Sequence, residues 1–184
     1  MQRQIEGWWN RYEKAKTDDV PTAQELYEWL VDNTPATSDA ALVHNDWKLD
    51  NIAIDPDDPS HVTAVYDWDM CTLGDPLSDV GGMLALWFQD GESIGGGNFI
   101  MPTTVPGFLN RKEAAERYAE RSGRSIEDIS FYFAFGQFRM AVILQQIYYR
   151  FHVGQTKDKR FRSFGMLAQF LLALGKSNAV KPGL

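Results

Sequence analysis

Residues 44–51 read HNDWKLDN and residues 66–69 read YDWD. The first segment sets Asp46 and Asn51 five positions apart, with Lys48 between them and His44 in front. The second adds Asp67 and Asp69. Carboxylate and amide oxygens are hard donors that suit a divalent cation such as Mg²⁺. If folding gathers Asp46, Asp67 and Asp69, their charges repel. Two unit charges about 4 Å apart at an effective dielectric of about 20 interact by about 4 kcal/mol. A bound cation turns that repulsion into attraction. Acidic surface loops are common, so crowding alone decides nothing, and order and spacing must carry the argument.

Such groups need elements on both sides to hold them. ALVH, NIAID and VTAVYDW are short β candidates, with the turn PDDPS between the last two. Upstream, residues 3–16 read as a helix, since Ile5, Trp8, Trp9 and Tyr12 fall on one face. Pro21 opens a second helix, with Thr17, Asp18 or Asp19 as candidate caps and Leu26, Trp29 and Leu30 on its buried side. Downstream, Asp75-Pro76 starts a helix to about Phe88. Residues 90–110, rich in Gly and Pro, predict a long irregular loop of the kind that is usually functional or mobile, and a substrate lid is one reading of it. A helix over Arg111–Ser122 stops at Gly123. Ser125 and Asp128 are placed to cap a long apolar helix reaching about Val153. A last helix over 161–174 is expected to end at Gly175. No repeat or second domain is evident, so residues 1–184 read as a single domain.

The order His-x-Asp-x-x-x-x-Asn in HNDWKLDN resembles the catalytic loop of kinases, which is followed by an Asp that holds metal. The continuation VYDWDMCTLGDPLSDVG resembles the metal-binding segment of the aminoglycoside phosphotransferase and choline kinase group. There an Asp-Trp-Asp/Glu triplet and a Gly-Asp-Pro-x-x-Asp run follow the catalytic loop. The resemblance is closest to the bacterial phosphotransferase branch related to kinase-like domains fused to acyl-CoA dehydrogenases, and it runs from about residue 3 to about residue 170.

That resemblance implies an α+β, mostly helical fold: the C-terminal lobe of a protein-kinase-like enzyme, with short β-hairpins carrying the catalytic and metal-binding loops. It implies transfer of the γ-phosphoryl group of ATP to the hydroxyl of a small molecule. Asp46 would act as base, and Lys48 would neutralise charge on the moving group. Asn51, Asp67 and, less firmly, Asp69 would hold Mg²⁺. His44 would brace the loop and Asp79 would anchor its backbone from behind. Asn45 departs from the family, where Gly is frequent, and should alter the loop's backbone angles. The two halves of the motif together are specific; either half alone is weak. A kinase of this fold places an ATP-gripping lobe before the catalytic loop, and nothing in residues 1–37 reads as its sheet. The chain is therefore expected to be the C-terminal lobe alone, inactive by itself, with an apolar surface near residues 42–70 open to self-association.

Other readings compete. The same fold could hold a ligand or partner without chemistry. A metal-dependent hydrolase or a glycosyltransferase could use DWD as an Asp-x-Asp motif, but that leaves HNDWKLDN unexplained. Net charge is −7, and 44% of residues are hydrophobic. An acidic chain of this kind argues against nucleic acid as a partner. The apolar runs are too short to span a bilayer, and a cytoplasmic location is expected. The one cysteine, Cys71, excludes an internal disulfide and is expected to be a small buried hydrophobe. Gly95–Gly97 lacks the Gly-Lys-Ser/Thr of a phosphate loop. Trp47 and Trp68 are expected to pack. The basic run from Arg150 to Arg162 reads as a solvated face, with recognition of an anionic substrate group such as a phosphate or a CoA moiety as the alternative, and Asp90, Glu92, Glu113 and Glu116 read as solvated acids rather than a cation-binding wall.

Overall fold

The computed structural model of the chain describes residues 1–36, 39–92, 101–181 and 184. Two helices open it. Helix α1, Gln2–Ala15, buries Ile5, Trp8, Tyr12 and Ala15 along one stripe. Helix α2, Pro21–Asp32, starts on its proline, whose missing N–H and fixed φ suit a first turn. None of Thr17, Asp18 and Asp19 caps it, because the residue before the proline is Val20 and no side chain bonds the first turn. The α1–α2 link is instead held from across the molecule. Gln145 Nε2 donates to Ala15 O at 2.9 Å and to Thr17 Oγ1 at 3.3 Å.

Four short strands follow: β1 Ala41–Val43, β2 Ile52–Ile54, β3 Val62–Val65 and β4 Thr72–Gly74. Strands β2 and β3 form an antiparallel hairpin, with Ile52 opposite Val65. Strand β4 was not foreseen. It pairs antiparallel with β1, Ala41 opposite Gly74 and Val43 opposite Thr72. This second pairing ties off the base of the segment that contains the hairpin. Cys71, in the turn before β4, is exposed rather than buried, because that turn leads into an edge strand and not into the core.

The rest is helical. Helix α3 is Leu77–Leu86, α4 is Arg111–Ser122, α5 is Ile129–His152 and α6 is Phe164–Ala179. Asn110 and Glu113 close a reciprocal capping box on α4, and Gly123 ends it in the left-handed conformation. Asp128 precedes α5 without a capping bond, and the Ser125 hydroxyl serves only the turn at Glu127. Helix α5 is the central post and packs against α1, α3 and α6. Its Tyr132, Phe135, Phe138 and Val142 are buried with Ile5, Leu26, Leu84 and Leu172.

Two glycines set the α3–α5 approach. A Cβ on Gly81 would lie 2.2 Å from Tyr132 O, and one on Gly136 would lie 2.4 Å from Gly81 O. The helices thus touch backbone to backbone. Gly175 does not stop α6; the helix runs four residues past it, and a Cβ there would lie 2.9 Å from Leu26 Cδ2. The glycine serves close packing, not termination. The triple glycine at 95–97 and the centre of the expected 90–110 loop lie outside the described residues. No helix among the described residues is long and apolar enough to cross a membrane.

Candidate functional site

The site is built outward from the start of α3. Asp75 is buried, and its Oδ1 accepts the Leu77 N–H at 2.9 Å while its Oδ2 accepts the Tyr132 hydroxyl at 2.5 Å. Burial first, then this carboxylate, raise the Tyr132 pKa well above its ordinary value, so the phenol stays a donor. The first turn of α3 is thereby pinned to α5. One turn on, the Asp79 carboxylate accepts two consecutive backbone N–H groups, His44 at 2.6 Å and Asn45 at 2.7 Å.

Asn45 is held at its carbonyl as well. Arg139, on α5, donates from Nη2 to Asn45 O at 2.7 Å. Its guanidinium is buried against the faces of Trp8 and Phe135. Burial lowers its pKa, while Asp79 and Asp46 act to raise it; an arginine remains charged throughout the ordinary pH range. Asn45 itself has φ 64°, the left-handed conformation that glycine adopts freely and asparagine tolerates. Its side chain makes use of the position: Nδ2 donates to Met70 O at 2.9 Å, joining this loop to the turn after β3.

His44 is almost fully buried and makes a second such tie. Its Nδ1 accepts the Asp46 N–H at 3.2 Å and its Nε2–H donates to Tyr66 O at 2.7 Å, which fixes the tautomer. The Trp47 and Trp68 rings flank the imidazole, with centroids 5.8 and 4.7 Å away. Both indoles are partly exposed.

Asp46, Lys48 and Asn51 meet. Lys48 Nζ donates to Asp46 Oδ2 at 2.6 Å. Asn51 Nδ2 donates to the same oxygen at 3.1 Å and to Asp46 O at 2.8 Å. With its amide nitrogen committed, Asn51 keeps Oδ1 as a donor atom for a cation, and Asp46 Oδ1 receives no hydrogen bond from a described residue. The hairpin brings the third group near: Tyr66 N–H donates to Asn51 O at 2.8 Å, and Asp67 is the next residue. Asp67 is left-handed at φ 63°, ψ 56°. Its exposed carboxylate has no bond or ion pair with a described residue. Non-glycine residues held in this region are uncommon and cluster at functional sites. Asp69 lies in the 3₁₀ turn Trp68–Met70 and is exposed.

Among the described residues no three His, Cys, Asp or Glu side chains form a cation cage. The available oxygens are one amide and one or two carboxylates. That set fits Mg²⁺, which usually binds through one or two carboxylates together with substrate phosphates rather than in a closed protein cage.

Arg139 is the residue that motif reading missed. Its signal was present: one arginine interrupts FYFAFGQFRMAV, a stretch otherwise free of charge. A charge at such a position requires a partner. The acids after α3 divide differently from expectation. Glu92 is not a free solvated acid but a bidentate partner of Arg111, at 2.6 and 2.5 Å. In the basic run, Arg160 is turned back onto Asp158.

The chain is 33% identical over 183 residues to acyl-CoA dehydrogenase family member 10 of Mus musculus, covering 98% of this chain and 17% of that one. It is 30% identical over 178 residues to acyl-CoA dehydrogenase family member 11 of Homo sapiens, covering 94% and 22%. The chain thus spans about a fifth of the length of these curated relatives. The crystal structure of a candidate aminoglycoside phosphotransferase from Ralstonia eutropha superposes with a TM-score of 0.84 at 32% identity, over 100% of this chain and 56% of that one. A family model described as "Phosphotransferase enzyme family" matches residues 1–124, which include every element of the site except α5. The chain belongs to the phosphotransferase enzyme family.

Proposed function

We propose that this chain is the acceptor-side, C-terminal lobe of an ATP-dependent small-molecule O-phosphotransferase. The observation that carries the reading is the convergence at Asn51. Its amide nitrogen holds Asp46 by backbone and carboxylate, and its carbonyl holds the residue before Asp67. Phosphoryl transfer asks a protein chiefly for positioning and charge compensation.

Within that reading Asp46 orients the acceptor hydroxyl and takes up its proton on Oδ1, the oxygen left free by Lys48 and Asn51. Lys48 lies beside it, able to move onto the transferring group. Asn51 and Asp67 would hold Mg²⁺, with Asp69 an additional candidate. The ion, when bound, supplies charge neutralisation on the phosphates. Asp79, Arg139 and His44 keep the loop in register. The residues that would grip the nucleotide belong to a second lobe, so this chain alone is expected not to turn over ATP. A non-catalytic binding module on the same fold would retain the braces but gain nothing from a free Asp46 oxygen.

The test is Asp46→Asn in a protein that contains both lobes. Acceptor phosphorylation should fall by about 10²–10⁴-fold in kcat, the usual contribution of a general base, with little change in the KM for ATP. An unchanged kcat would rule out the assignment. Steady ATP turnover by the present chain alone would rule out the lobe assignment.

A further inference from the structure

A cavity of about 280 Å³ opens beside Asp46, Lys48 and Asp50. Away from that polar mouth its wall is formed by Met83, Leu86, Trp87, Met101, Met140 and Ile143. Thr103 is set in this wall, in a 3₁₀ turn over Pro102–Thr104. It is 6% exposed, and its Oγ1 has no hydrogen-bond partner among the described residues. The neighbouring threonine shows that the turn can satisfy a hydroxyl: Thr104 Oγ1 donates to Met101 O at 2.8 Å. Asp46 Oδ1 and the Asp50 carboxylate stay open at the mouth, while the polar groups beside them are engaged. The Trp87 indole N–H donates to Leu109 O at 2.7 Å, and Lys48 is bound to Asp46. A buried hydroxyl without a partner is rare in a folded protein and calls for an explanation. A site lined mainly by apolar side chains with a few placed polar groups is the usual form of a small-molecule pocket.

We infer that the Thr103 hydroxyl is a recognition contact for the acceptor, and that the acceptor is a neutral alcohol with an apolar body and a second hydrogen-bonding group. This rests on the phosphotransferase reading for the identity of the reacting end: one hydroxyl meets Asp46 at the mouth. The apolar body lies against the methionines, and the second polar group turns toward Thr103. Rotation about χ1 exchanges the methyl and hydroxyl of a threonine, so the side chain can present Oγ1 to the cavity when a partner arrives. Beyond the two carboxylates at the mouth, the apolar wall offers the further charges of a polycation no partners for the water they would lose.

The probes are 1,4-cyclohexanedimethanol, cyclohexanemethanol and kanamycin: a neutral diol, its single-hydroxyl counterpart and a polycation. The readout is the methyl NMR spectrum of the chain labelled at methionine, since Met83, Met101 and Met140 line the cavity. The diol should shift these methyls and bind more tightly than the mono-alcohol. Thr103→Val, which keeps shape and removes the hydroxyl, should weaken the diol by about tenfold, the scale of one net hydrogen bond, and leave the mono-alcohol unchanged. Thr103→Ser should restore the diol. Unfolding of Thr103→Val should occur at the same or a higher temperature, because no partner among the described residues is lost. Equal diol affinity in Thr103→Val and wild type, absence of any methyl shift with the diol, or a stronger response to kanamycin would each overturn the inference. The binding test needs no phosphoryl transfer. Failure of Asp46→Asn to impair kcat therefore strikes the phosphotransferase reading, whereas loss of the Thr103 dependence strikes only this one.

Discussion

Single side chains in this site act mostly on backbone. Asp79 receives two N–H groups that have no other acceptor, so truncation leaves both unsatisfied. Asp79→Ala should cost about 2–3 kcal/mol in urea unfolding, the range for bonds to a charged group, and should speed amide exchange at His44 and Asn45. Asp79→Asn, which keeps one acceptor oxygen, should lose less. Tyr132→Phe removes the donor to a buried Asp75 oxygen and should cost about 1–3 kcal/mol. Glu92 gives the pH signature. Burial acts to raise its pKa, but the Arg111 bonds outweigh this, and the net value lies below the ordinary 4.5. A carboxylate depressed in the folded state stabilises it above the unfolded pKa, and that contribution is lost as pH falls through the folded value. Glu92→Gln should therefore flatten the decline in stability below pH 4.5 while lowering stability at neutral pH, measured by thermal unfolding across pH. The meeting of Asp46, Lys48 and Asn51 was legible because their spacing is local in sequence. Arg139 was not, because its partner Asn45 is 94 residues away and no local pattern encodes that contact.

At the scale of elements, the site depends on the α3–α5 crossing. Gly81 and Gly136 allow the two backbones to touch, which lets Asp79 hold the N–H of Asn45 while Arg139 holds its carbonyl. Gly136→Ala should push the helices apart and cost about 1–3 kcal/mol or more, as an overpacked core does; within the proposed function it should also lower phosphoryl transfer beyond what stability alone explains. Retained melting temperature in that variant would contradict the crossing described. Helix limits were readable where punctuation is chemical, as at Gly123 after α4. They were misread at Gly175, where the residue answers to Leu26 on another helix. The β4 strand escaped notice because three residues of Thr72–Gly74 carry no pattern of their own, and their partner β1 lies some thirty positions earlier.

Across the whole molecule, burial is concentrated on α5 and its neighbours, while the strand region is left open. Leu42 and Leu73 face each other across β1 and β4 and are 61% and 75% exposed; Tyr66 and Met70 are close by in sequence and also exposed. Within the proposed function this face meets the nucleotide-gripping lobe. The present chain should then self-associate with rising concentration in sedimentation velocity, and Leu42→Glu with Leu73→Glu should suppress it. A monomer at every concentration would count against that use of the face.

The pairing of β1 with β4 has one more consequence. It closes a ring of chain whose base is stitched and whose far end, the exposed turn over residues 55–61, keeps its hydrogen bonds within itself. Foreign sequence spliced into that turn, such as an epitope or a dye-binding peptide, should leave Asp46 and Asp67 where they are. The fold thus supplies a handle from which the protein could be tethered or watched without disturbing the cavity.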